Sequence, residues 1–99
     1  MSYFREKLSA ALNGMAQSDL DVRTKLADAY SYHLLHAADH LPDNEDVRSS
    51  FEKFGEAFSR VEDKEKGSIR ASIDQMSDNE VEELVSEICG LVYYAEFSK

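Results

Sequence analysis

The C-terminal third of this chain has no basic residue between Arg70 and Lys99, although it carries seven carboxylates. Over the whole chain, 20 acidic residues outnumber 11 basic ones, and the formal net charge is -9. Nucleic acids and anionic membranes are bound by clustered lysine and arginine, so this composition argues against both as partners. It favours a basic protein surface instead.

Cysteine, long apolar runs and phosphate-binding motifs are also scarce or missing. Cys89 is the only cysteine, which excludes an internal disulfide, and its place at the margin of an apolar face predicts a packed, unreactive thiol. No stretch approaches the roughly 18 consecutive apolar residues of a membrane helix. The N-terminal segment carries charges, Arg5 among them, where a secretory signal needs an apolar run. We therefore expect a cytoplasmic protein.

The four glycines are isolated from one another and none follows a predicted strand. A phosphate loop, a dinucleotide-binding turn or a nucleophile elbow would need grouped glycines after a strand. We therefore predict that the protein is not an enzyme and needs no cofactor.

Apolar residues recur at helical spacing in both N-terminal segments, and residues 1–99 are expected to form a single domain. A first helix is predicted over residues 3–13, ended by Asn13-Gly14. Ser18, ahead of two aspartates, predicts the start of a second helix, which ends before Pro42.

The third helix has the most regular pattern, because its apolar residues step by 4, 3, 4 and 3 from Val47 to Val61. Three of them are phenylalanines: Phe51, Phe54 and Phe58. Such a stripe is typical of a helix in a bundle.

Gly67 predicts a break after the third helix, with a short helix starting at Ser68. Ser77 and Glu80 form a capping box, which predicts a last helix from Asp78 to about Ala95. The sequence thus predicts an all-α fold: a small antiparallel bundle of four main helices plus a short extra helix.

The last helix carries acids that capping does not explain. Asp78 and Glu80 lie in its first turn, where they complement the helix dipole. Glu82, Glu83 and Glu87 remain, and the repulsion between Glu83 and Glu87 at i, i+4 costs about 0.2 to 0.5 kcal/mol. A solvated face for solubility and a docking face for a partner are both consistent with this pattern.

Large aromatic residues near the C-terminus lie away from the predicted core stripe. Tyr94 and Phe97 point off its axis, as aromatic residues at protein interfaces often do. The alternative is that the C-terminus folds back and buries them.

All three histidines lie on the second helix, at His33, His36 and His40. In a regular α-helix this spacing places them within about 60° on one side. They could bind zinc or copper, but no second ligand cluster accompanies them. A hydrogen-bonded His33, with the other two at the rim, is the alternative.

We expect a non-catalytic protein that binds a basic protein surface, as inhibitor, immunity, antitoxin-like or adaptor proteins do. Glu82, Glu83 and Glu87 would steer the partner, and Tyr94 and Phe97 would anchor it. One alternative is a metal- or pH-responsive module built on the three histidines. Another is a purely structural homodimer.

Overall fold

The computed structural model describes residues 3–17 and 19–97, with side chains described as far as Leu91. Its helices are α1 (Tyr3–Gln17), α2 (Val22–Ala29), α3 (Glu45–Ala57), α4 (Ser68–Asp74) and α5 (Asp78–Phe97). Three short turns continue α2 directly: a π-helical turn (Tyr30–Leu34), an α-helical turn (Leu35–Ala37) and a 3-10 turn (Ala38–His40). This part of the chain contains no strand, and the predicted all-α bundle of four main helices and a short one is confirmed.

The first helix is longer than the sequence predicted. Asn13 and Gly14 lie within α1, which ends at Gln17. The expected end at residue 13 is wrong because Met15 continues the apolar stripe and packs against the core. Burial of that side chain outweighs the cost of about 1 kcal/mol for a glycine inside a helix.

The second helix begins at Val22, and its cap is Asp21 rather than Ser18, which lies outside the described residues. The backbone N–H groups of Arg23 and Thr24 both donate to Asp21 Oδ1 at 3.1 Å. These bonds satisfy two of the free donors that open every α-helix. The backbone N–H of Thr24, its hydroxyl and, to a smaller extent, the Arg23 N–H lower the pKa of Asp21.

An aromatic cluster of Phe4, Tyr30, Phe51, Phe54 and Phe58 joins three parts of the bundle. The rings of Tyr30 and Phe58 lie 4.3 Å apart between centroids, and those of Phe51 and Phe54 lie 5.4 Å apart. Phe4 contacts Phe51 at 5.9 Å, which connects α1 to α3. Tilted and edge-on rings at these separations are worth about 0.5 to 1.5 kcal/mol per pair beyond area burial.

The core extends from this cluster between the helices. Its largest fully buried side chains are Leu8, Leu26, Leu34, Val47, Phe54, Phe58, Ile73, Val81, Leu84, Ile88 and Leu91. α1 packs against α2 and α5, and α3 also packs against α5. The last helix therefore contacts both α1 and α3.

The third helix ends at Ala57, with Phe58 as its cap, so it is shorter than the apolar stripe suggested. Val61 lies in the following loop, where its N–H donates to the buried Ser72 hydroxyl at 2.9 Å. Glu62 and Lys66, four positions apart, also lie in this loop, so within the described residues they form no i, i+4 helical pair. Lys66 pairs with Asp74 at 3.1 Å instead.

Gly67 lies at the predicted break, and its φ of 86° is the only positive value in the described residues. The short helix α4 starts at the next residue, as predicted. With ψ at 152°, this backbone conformation is open to glycine and strained for other residues.

Arg23 ties the start of α2 to the junction between α4 and α5. Its guanidinium donates to the carbonyl of Ile73, to the Met76 carbonyl at 2.8 Å and to Asp78 Oδ1 at 2.9 Å. Its side chain is only 23% exposed. One side chain thus satisfies carbonyls at the end of α4 and pairs with an acid in the first turn of α5.

Among the helices described, none combines the length and the apolarity that crossing a membrane requires.

Replacing Arg23 with methionine is expected to lower the free energy of unfolding by about 1 to 3 kcal/mol, because carbonyls at a part-buried junction lose a charged donor. Urea unfolding measures the change. Arg48→Met is the matched control, since the side-chain contact described for Arg48 is an exposed pair with Asp43. That control should change stability by about 0.5 kcal/mol or less. Equal losses in both variants would contradict the role given to Arg23.

Gly67→Ala is expected to destabilise the protein by about 1 to 3 kcal/mol, because alanine must adopt the positive φ of Gly67. Gly55→Ala, inside α3, is expected to do the opposite by up to about 1 kcal/mol, because alanine is the better helix former. A Cβ at either position meets no atom within 4 Å, so the contrast isolates the backbone conformation. Thermal unfolding of both variants tests the sign, and a stabilised Gly67→Ala protein would refute this explanation of the break.

Candidate functional site

An open groove of about 650 Å³ runs between α3 and α5. It is lined by Ser50 and Lys53 from α3 and by Glu82, Glu83 and Glu87 from α5. Asn79, Ser86, Gly90 and Leu91 complete the lining. All three glutamates singled out in the sequence therefore lie along one depression, which we call the acidic groove.

The packing of α5 explains why these acids lie together. Val81, Leu84, Ile88 and Leu91 are buried and recur at helical spacing, which fixes one side of α5 in the core. Glu82 and Glu83 are exposed, and Glu87 lies at the boundary beside α3. Gly90 and Ser86 keep the groove open because their side chains are absent or short.

Glu87 is held in place by α3. Its Oε2 accepts a hydrogen bond from the Ser50 hydroxyl at 2.7 Å, and its Oε1 accepts one from Lys53 Nζ at 3.1 Å. The Ser50 hydroxyl and, to a smaller extent, the Lys53 ammonium hold the pKa of Glu87 below its ordinary value. Lys53 also offsets the repulsion that the sequence predicted between Glu83 and Glu87.

The first-turn acids of α5 have structural partners, in addition to the capping role predicted for them. Ser77 Oγ accepts a hydrogen bond from the Glu80 N–H at 3.1 Å, as the capping box predicted. Asp78 pairs with Arg23, and the Glu80 carboxylate pairs with Arg60 from the loop after α3. Within the described contacts, Glu82 and Glu83 have no such partner, so they are the groove carboxylates open to a ligand.

The two predicted anchors, Tyr94 and Phe97, are not placed at the groove by the described side chains. The backbone of Tyr94 and Phe97 belongs to α5, but their side chains lie outside the described residues. Their role as anchors stays a prediction.

The fold does not bring the three histidines together in the way that regular α-helical spacing predicted. Within residues 3–17 and 19–97, no three His, Cys, Asp or Glu side chains are placed to hold a metal ion. The reason is the backbone: a π-helical turn contains His33 and a 3-10 turn contains His40, so the α-helical spacing assumed from the sequence does not apply. His40 packs on Tyr3 instead, with ring centroids 4.5 Å apart.

His33 is half-buried and lines a small cavity together with Gly14 and Met15 of α1. Burial lowers its pKa, and the charges of Lys7 and His36 add to the effect. His36 is exposed.

Cys89 is also exposed, so the expectation of a packed thiol is wrong. Its position lies just outside the buried stripe of α5.

Ser50 and Lys53 are the site residues that the sequence did not reveal. Their partner Glu87 lies 37 and 34 positions away along the chain. One signal was available: Ser50 lies one turn after Val47 and one before Phe54, so a polar residue interrupts the edge of an apolar stripe.

Large apolar side chains are exposed elsewhere, at Tyr3, Leu20, Val22, Tyr32 and Leu35, at 41% to 65% of their surface. Self-association would have to bury surfaces of this kind. A homodimer stays a prediction.

Comparisons of the chain with protein-family models, with curated proteins and with solved structures give no match.

Glu87→Gln is expected to lower stability near neutral pH by about 1 kcal/mol, because it weakens a charged hydrogen bond and an ion pair. The folded protein lowers the pKa of Glu87, so the carboxylate stabilises the fold above its unfolded-state pKa. That contribution is lost as pH falls through the folded-state pKa. The difference in the free energy of unfolding between wild type and variant should therefore shrink as the pH falls.

Urea unfolding across that pH range measures the difference, with Glu83→Gln as a control that removes one charge but no described hydrogen bond. A difference that stays constant with pH would show that the Glu87 contacts contribute nothing as charges.

Proposed function

We propose that this protein is a non-catalytic binding protein that docks a basic segment of a partner protein in the acidic groove. The observation that carries this proposal is the convergence of Glu82, Glu83 and Glu87 on one groove wide enough for side chains of a partner. The net charge of -9 supports it, since a basic partner is attracted over distance before contact.

The electrostatic role of each glutamate follows from its surroundings. Glu82 and Glu83 are exposed, so they act mainly by attracting and orienting a partner. Glu87 is 32% exposed and rests on α3, so its carboxylate has a fixed position at the groove wall. A partner side chain that reaches Glu87 meets an acceptor that is already ordered, which reduces the entropy lost on binding.

Neutralising Glu82 and Glu83 together, as Glu82→Gln and Glu83→Gln, is expected to weaken binding of an oligo-arginine peptide by about fivefold, because two ion pairs of about 0.5 kcal/mol are lost. Fluorescence anisotropy at physiological salt measures the change in Kd. An oligo-citrulline peptide of equal length keeps the shape of arginine without its charge and should not bind.

The matched control is Glu62→Gln with Glu65→Gln, which removes two exposed carboxylates from the loop after α3. Its Kd should stay within about twofold of wild type, because exposed charges away from a ligand are screened beyond about 8 Å. Equal weakening by both double variants would mean that the peptide senses only net charge, and the proposed site would be wrong.

A further inference from the structure

Lys53 is the one basic side chain among the described residues that line the acidic groove. Lys53 Nζ lies 3.1 Å from Glu87 Oε1. The three glutamates and this lysine give the groove a formal charge of -2, where the glutamates alone would give -3. The ammonium of Lys53 thus contacts the same Glu87 carboxylate that a basic partner would bind.

Ser50 and Lys53 of α3 both contact Glu87, but the contact from Lys53 can break. Ser50 and Lys53 are three positions apart and so lie on the same side of α3, facing Glu87. The Ser50 hydroxyl bonds Oε2, while Lys53 bonds Oε1. The Lys53 side chain is 49% exposed, so it can leave Glu87 and enter water while Ser50 keeps the carboxylate in position.

We propose that Lys53 is an autoinhibitory cation that occupies the Glu87 subsite of the acidic groove until an arginine of the partner displaces it. This inference rests on the proposed function. The ion pair formed by Lys53 is partly exposed, and such pairs are weak enough for a ligand to displace. The displaced ammonium regains its hydration.

The same exchange favours arginine over lysine in the partner. A partner lysine that replaces Lys53 exchanges one ammonium for another and gains nothing at Glu87. A guanidinium presents a fork of donors and contacts both carboxylate oxygens. Oε2 can accept such a bond in addition to the one from Ser50, because a carboxylate oxygen has two lone pairs.

The test compares Lys53→Met with Lys64→Met in binding to an oligo-arginine peptide. Lys64 is exposed in the loop after α3, so its loss changes net charge equally without touching the groove. Lys53→Met should lower Kd by about threefold or more, because the competing ion pair is gone. Lys64→Met should leave Kd within about twofold of wild type.

Lys53→Arg is a second variant, and it should change Kd in the opposite direction. It keeps the charge but holds Glu87 more firmly, so it is expected to weaken oligo-arginine binding. Wild type should also prefer oligo-arginine to oligo-lysine, and Lys53→Met should reduce that preference, since lysine then meets a vacant Glu87.

The outcomes separate the two proposals. Equal tightening by Lys53→Met and Lys64→Met, or no change in either, overturns the autoinhibitory role while binding in the groove stands. Failure of wild type to distinguish oligo-arginine from oligo-citrulline overturns the proposed function itself.

Discussion

The burial of three phenylalanines along one side of α3 is the constraint on which the rest of the structure depends. Phe51, Phe54 and Phe58 fix the rotation of this helix about its axis, because turning it would expose their rings to water. With that side committed to the core, Ser50 and Lys53 are left on the flank next to α5. The acidic groove is therefore a consequence of core packing.

The irregular continuation of α2 follows from the same cluster. Tyr30 opens the π-helical turn and packs between Phe54 and Phe58, with edge contact to the first and a 4.3 Å centroid separation from the second. Leu34 and Ala37 are buried after it. The wider turn lets these apolar residues face one core, which compensates for the poorer hydrogen-bond geometry of a π-helix. The histidine spacing is altered as a result.

Local signals in the sequence predicted the number of helices, the break at Gly67 and the start of α5 at Asp78. They failed at the end of α1, because packing of Met15 against the core extends this helix beyond Asn13-Gly14. The three glutamates of the groove were also found from sequence, because like charges without nearby compensation stand out. The Lys53 contact to Glu87 and the Arg23 junction could not be found, because both join residues more than 30 positions apart through tertiary packing.

The proposed function requires that basic ligands bind the acidic groove rather than the acidic surface at large. Backbone amide chemical shifts, recorded by NMR during titration with an oligo-arginine peptide, test this most directly. The largest shifts should fall on the groove residues of α3 and α5, from Ser50 to Lys53 and from Asn79 to Gly90. Shifts of similar size at acids throughout the chain, such as Asp19, Asp39 and Glu65, would contradict it.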